Sequence, residues 1–190
     1  MSNRIAIIAG SPSEGSRSAA LAGHAAERLA ARGIATRTVH VRRLPAEELL
    51  QARSGIGTSE ALRTIAESAA VVIATPVYKA SFSGLLKVFL DLLPIDGLRG
   101  KAVLPLATGA SPGHMLALDY GLRPVLAALG AYPVLPSVYG LDSQLTNPAE
   151  GRLVIEPVLE LRLLEGVDRL AEAVRKSAPV QHTLHEATLT

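Results

Sequence analysis

The chain has no cysteine and no tryptophan, and only 3% of its 190 residues are aromatic. Without thiols there is no disulfide framework, no thiolate metal site and no cysteine nucleophile, which fits a reducing, cytoplasmic setting. Aromatic platforms for stacking bases are lacking too, and the net charge of +2 is spread over scattered basic residues rather than a stripe. Nucleic acid is therefore not an expected partner. No apolar run is long enough to span a bilayer, and the short one at Ile5–Ile8 runs straight into Gly10-Ser-Pro, too soon for a signal segment. No membrane partner is expected either.

What remains is an ordinary globular composition, 48% hydrophobic and 19% charged, in a chain long enough to bury one full core. We read residues 1–176 as a single domain and 177–190 as a flexible tail. Apolar runs alternate with amphipathic helical patterns: Arg4–Ala9 then Ser18–Ala31, Thr36–Val41 then Ser59–Ser68, Val71–Thr75 then Ser81–Leu93. Two more units follow, Ala102–Ala107 then His114–Leu129, and Tyr132–Val138 then Ile155–Lys176. Five such βα units predict an α/β fold, a doubly wound five-stranded parallel sheet in the flavodoxin-like order 2-1-3-4-5. The unbroken apolarity of Val71-Val-Ile-Ala74 suits a strand covered on both faces. Residues 42–58 read as an irregular connection with a helical turn around Glu47–Gln51, and 140–154 as a long surface loop.

In such a sheet the ligand lies beyond the carboxyl ends of the strands, where three loops converge. The first is Ala9-Gly-Ser-Pro-Ser-Glu-Gly-Ser-Arg-Ser18, between a strand and a helix start. A helix N-terminus offers unpartnered N–H groups and partial positive charge; Ser11, Ser16 and Ser18 add hydroxyl donors and Arg17 a guanidinium. The spacing matches neither the nucleoside-triphosphate P-loop nor the dinucleotide fingerprint, and it suits one terminal phosphate monoester; an ordinary capped βα turn is the alternative. The other loops, Thr75–Gly84 and Thr108–Gly113, are rich in small residues and turn formers and carry no acid–base pair.

Further along, Gly121 and Pro124 predict a break in the helical ladder near Tyr120, with a π-bulge as one way to absorb it. The run Phe82, Leu85, Leu86, Val88, Phe89, Leu90, Leu92 and Leu93 is apolar around most of a helix, so either a partner subunit or the chain's own loops must cover it. Asp91 and Asp119 fall on helices, where an Arg or Lys one turn away is their expected partner. The only histidine pair with metal-like spacing, His182-x-x-His185, falls in the tail.

Thr75-Pro-Val-Tyr-Lys-Ala-Ser-Phe-Ser-Gly-Leu-Leu-Lys-Val-Phe-Leu-Asp-Leu-Leu-Pro94, together with Gly10-Ser-Pro…Ser16-Arg-Ser18 and Leu104-Pro-Leu-Ala-Thr-Gly109, closely resembles the NADPH-dependent FMN reductases, in particular the alkanesulfonate-assimilation type. The resemblance runs from about Ile5 to about Ser143, with three segments in the right order and spacing. It implies that FMN and NADPH are the cofactors or substrates, with reduced FMN passed to a flavin-dependent monooxygenase. It also implies that Ser11, Ser16, Arg17 and Ser18 hold the FMN phosphate and that Pro76, Val77, Tyr78 and Lys79 lie along the ribityl chain and ring. Thr108, Gly109, Ala110 and Ser111 would then reach the pyrimidine edge. Ala110 stands where the family often has a second glycine, so a positive φ is harder there. Tyr120 matches a tyrosine that the alkanesulfonate type places in a π-helical insertion at a tetramer interface, implying a homo-oligomer, dimer or tetramer, with Tyr120 near the flavin. A flavin-retaining NAD(P)H quinone or azo reductase is the competing reading of the same site.

Overall fold

The computed structural model describes residues 4–146 and 153–177. Five parallel strands form its centre: β1 (Ile5–Ala9), β2 (Thr36–His40), β3 (Ala70–Tyr78), β5 (Ala102–Gly109) and β6 (Val138–Leu141). They lie side by side as β2-β1-β3-β5-β6, and a two-residue β4 (Ser81–Phe82) pairs antiparallel with the end of β3. Counting the parallel strands alone, this is the order 2-1-3-4-5 of the flavodoxin-like fold.

Alternation along the central strands builds two cores, one on each face. Ile5 and Ile7 of β1 and Val72 of β3 pack with Leu21, Ala25 and Leu29 of α1 (Arg17–Ala30) and with Leu159, Leu163 and Val167 of α6 (Pro157–Ser177). Ala6, Ile8, Val71 and Ile73 face the other way. They meet α2 (Ala46–Leu50), α3 (Ile56–Ala66), α4 (Gly84–Leu90) and α5 (Arg123–Ala128) through Leu49, Ile65, Phe89 and Leu126. Each fully buried Leu, Ile or Phe contributes about 1.5–3 kcal/mol relative to exposure, so both helical layers are firmly held.

Several boundaries differ from expectation. The fifth strand was expected at Tyr132–Val138 but forms at Val138–Leu141. Pro133 and Pro136 have no N–H to give a ladder, so the segment before it touches β5 only at a bridge between Val103 and Val134. Residues 81 and 82, expected to open a helix, are β4 instead, because β3 continues to Tyr78 and turns back through Lys79 and Ala80, whose φ angles are +48° and +62°. The region 140–154 is not all loop: β6 reaches Leu141, a 3₁₀ turn spans Asp142–Gln144, and β7 (Leu145–Thr146) pairs with β8 (Val154–Ile155). The ladder break near Tyr120 is a π-helical turn at Leu118–Leu122 leading into α5. In the apolar run of α4 and its flanks, Leu86, Phe89, Leu90, Leu92 and Leu93 are buried in the chain's own core, whereas Phe82, Leu85 and Val88 remain half-buried. Beyond Ser177, the proposed tail and His182-x-x-His185 lie outside the described residues.

Candidate functional site

Three loops leave the carboxyl ends of β1, β3 and β5 and enclose one pocket of about 340 Å³. That is large enough to take a substantial part of a nucleotide-sized ligand. The first wall begins at Gly10, whose N–H donates to the Ala74 carbonyl at 2.8 Å and ties β1 to β3. A Cβ on Gly10 would fall 2.7 Å from that of Leu86, so α4 packs directly against this backbone. Ser11, Ser13, Gly15, Ser16 and Arg17 line this side. Ser11 Oγ accepts from the Ser13 N–H at 3.2 Å, and Ser16 is the N-cap of α1, accepting from Ala19 N–H at 3.2 Å. With α1 running 14 residues behind it, this is an N-terminus where an anion is stabilised by unpartnered amides and the helix dipole.

Ser18 is fully buried and its hydroxyl lies 2.9 Å from that of Ser16; it orients Ser16 rather than lining the pocket. Arg17 opens α1 with its guanidinium turned to the segment after β6: Nη1 is 3.8 Å from Asp142 Oδ2, and Nε donates to the Leu145 carbonyl at 3.4 Å. Glu14, on the outer side of the same loop, accepts from Arg42 at 2.7 Å, and this hydrogen bond and charge lower its pKa.

Pro76, Val77 and Tyr78 form the second wall, with Tyr78 48% exposed and the only aromatic among the described lining residues. Lys79 sits in the tight turn to β4 and does not line the pocket. Thr108, Gly109 and Ala110 form the third wall. Gly109 is required by space, since a Cβ there would stand 2.5 Å from the Tyr139 hydroxyl and 3.3 Å from Val77 Cβ. Ala110 is not among the residues with positive φ, so the backbone there does not call for a glycine. Ser111 lies just off the lining, and its carbonyl accepts from the Tyr139 hydroxyl at 2.7 Å. Burial, and then the Asp142 carboxylate, push the Tyr139 phenol above its usual pKa.

Tyr120 does not line the pocket either. It is 80% exposed on the π-helical turn, which packs on β4 through Gly121, close to Ser81 and Phe82. Asp119 and Asp91 pair one turn along with Arg123 and Lys87, as their helical spacing predicts. A larger hollow of about 520 Å³ opens at the opposite end of the sheet between α3 and the chain after α4. It brings no hydroxyl donors or helix N-terminus together, and Arg63 and Arg99 on its rim are already paired with Glu60 and Asp96.

Sequence reasoning missed four residues. Ser13 lay inside the quoted motif, and Ser83 had a readable N-cap position before an apolar run. Asp142 and Tyr139 had no local signal, because their roles depend on where β6 ends.

The fold and this corner define a small α/β protein with a hydroxyl-lined pocket at a topological switch point of its sheet. Residues 3–146 match the family described as NADPH-dependent FMN reductase. The chain is 43% identical over 180 residues to the FMN reductase (NADPH) of Pseudomonas putida KT2440, spanning 91% of this chain and 89% of that one. It is 40% identical over 177 residues to the FMN reductase (NADPH) of Escherichia coli K12, with 91% of each covered. Among solved structures, the apo form of the NADH:FMN oxidoreductase EmoB superposes with a TM-score of 0.81 at 41% identity, covering 90% of this chain and 89% of that chain. The chain belongs to the NADPH-dependent FMN reductase family, and it is an oxidoreductase of FMN and NADPH.

Proposed function

We propose that FMN is bound here as an exchanging substrate, with its phosphate at Ser11, Ser16 and Arg17, and that the reduced product leaves for a flavin-dependent monooxygenase acting on alkanesulfonates. The observation that carries the reading is the pairing of a hydroxyl- and guanidinium-lined helix N-terminus with a pocket whose only aromatic is a half-exposed tyrosine. The donor set suits a phosphate dianion: three serine hydroxyls, a capped long helix and one arginine. The ring would lie along Pro76, Val77 and Tyr78, with little stacking surface to retain it.

Bound FMN supplies the chemistry, a ring that accepts hydride from NADPH. The chain holds the phosphate and orients the ring against the loop from Thr108 to Ser111, whose backbone amides are suited to stabilise negative charge on the pyrimidine edge. Ser18 acts through Ser16, and Lys79 contributes the turn that shapes the second wall. No side chain is assigned a proton-transfer role. Tyr120, with the exposed Met115 and Leu116 beside it, forms an apolar surface that a second copy of the chain covers in this reading. A single domain over 1–176 and a cytoplasmic setting complete it.

Flavin titrations with FMN and riboflavin, which differ only in the phosphate, test the proposal. Ser16→Ala with Arg17→Ala should weaken FMN about 10- to 100-fold, the worth of lost bonds to a charged group, while riboflavin changes little. Equal losses for both ligands would remove the phosphate from this corner. Tightly retained FMN with rapid quinone turnover would replace the exchanging reductase by a quinone or azo reductase.

A further inference from the structure

Among the described lining residues Asp142 is the only carboxylate, in a pocket otherwise furnished for an anion. Glu14 is the other acidic residue near the phosphate loop, but it lies off the lining and its charge is met by Arg42 at 2.7 Å. Asp142 has a looser partner. Its Oδ2 is 3.8 Å from Arg17 Nη1, beyond hydrogen-bond distance, with the two side chains 37% and 48% exposed. Such a pair holds weakly and gives way to a stronger anion.

The wall that carries Asp142 is itself fixed. Gln144 Oε1 accepts from Leu141 N–H at 3.0 Å and closes the turn, so the backbone that carries the carboxylate has a support of its own besides Arg17. A phosphate dianion at the α1 N-terminus must then draw Arg17 from Asp142 and bear the repulsion of the remaining carboxylate. The same field already reaches the back wall, where after burial it is the next cause of the raised Tyr139 pKa.

We infer that Asp142 is a specificity-determining residue that competes with the phosphate of the flavin for Arg17, weakening the hold on FMN relative to riboflavin and speeding FMN release. The inference rests on the proposed placement of the phosphate at Ser11, Ser16 and Arg17. It assigns the exchange of flavin to a charge on the pocket wall, in addition to the scarcity of aromatic stackers.

Asp142→Asn removes the charge and keeps the shape. Fluorescence titration of the full chain should show FMN bound about three- to fivefold tighter, with riboflavin within about twofold of wild type. Stopped-flow displacement should show slower FMN release, and the gain should shrink with added salt, which screens a partly exposed charge. Asp142→Glu, retaining the charge, should keep an FMN-to-riboflavin ratio near wild type, and thermal unfolding of both variants should stay near the wild-type midpoint. An unchanged FMN-to-riboflavin ratio in Asp142→Asn, or weaker FMN binding, overturns the inference. If Arg17→Ala still loses FMN selectively, that failure falls on Asp142 alone; if Arg17→Ala and Ser16→Ala weaken both flavins equally, the phosphate placement falls with it.

Discussion

Replacing Ser83 by alanine should loosen the corner of the fold from which the serine-rich loop after β1 departs. Ser83 is 1% exposed, and its hydroxyl has two tasks. It caps α4 by accepting from Leu86 N–H at 3.1 Å, and it donates to the carbonyl of Gly10. Its own N–H donates to Thr75 Oγ1 at 2.9 Å, so one residue joins the ends of β1 and β3 to the start of α4. Loss of the cap costs about 1 kcal/mol, and the buried Gly10 carbonyl left without its donor costs about 1–3 kcal/mol. The sum is about 2–4 kcal/mol. In a domain of this size about 3 kcal/mol lowers the unfolding midpoint by about 6–12 °C. Urea unfolding of the flavin-free protein reads the loss directly, and an unchanged m-value shows that the unfolded state is not responsible. Ser59→Ala is the control, since that hydroxyl bonds the Gly55 carbonyl on an exposed surface and its loss should stay within about 0.5 kcal/mol. A loss below about 1 kcal/mol in Ser83→Ala would refute the claim that this hydroxyl joins the loops.

Gly109→Ala should destabilise by about 1–3 kcal/mol and weaken flavin, because the new methyl meets the Tyr139 hydroxyl; adding Tyr139→Phe should recover part of both losses, and no recovery would reject the steric cause. Burial alone would raise the pKa of Glu160, but His24 at 2.8 Å and Arg28 at 2.6 Å hold it below the usual carboxylate value. Its contribution is therefore full above the ordinary carboxylate range and lost as pH falls through the depressed folded value, so Glu160→Gln should flatten the acid limb of a stability–pH curve. A limb of unchanged steepness would show that other carboxylates govern it. Tyr120→Ala should lower the oligomer mass in sedimentation or change the flavin release rate while moving stability by no more than about 0.5 kcal/mol, since the side chain is 80% exposed. Wild-type behaviour in both mass and release would reject its interface role.

The sheet was legible because its signal is local. Val71-Val-Ile-Ala74 is β-branched and apolar at nearly every position, as suits a strand covered on both sides, and the serine-rich turn after Ala9 announced the N-terminus of α1. The break at Tyr120 was legible for the same reason, as Gly121 and Pro124 act within one helical turn. The misses depend on what lies across the fold. Ser81 and Phe82 have a helix-compatible sequence, yet β3 continues beyond the sheet and recruits them as its hairpin partner. Residues 132–138 carry strand-like valines and a leucine, but two prolines delay the ladder until Val138. Asp142 reaches the pocket only because β6 pairs with β5 through Leu141 opposite Gly109, a register that no window of sequence contains.

That register also helps to build the pocket's backbone in advance of a ligand. Each loop is fastened from behind: Gly10 to Ala74 and Ser83, Thr75 to Ser83, Ser111 to Tyr139. Buried polar bonds, fully satisfied, rigidify what they join, so the pocket is formed before flavin arrives and little ordering is demanded of the protein on binding. Affinity then rests on the contacts themselves. In the proposed placement those at the phosphate end are serine hydroxyls, helix amides and one guanidinium, and those along the ring are mostly aliphatic. With the phosphate at Arg17 as proposed, its contacts should weaken with salt, and a thin stacking surface should leave dissociation fast. On the proposed placement, tight retention would need either aromatic faces beside Val77 and Ala110 or an unopposed Arg17, and an aliphatic wall and Asp142 stand in their place.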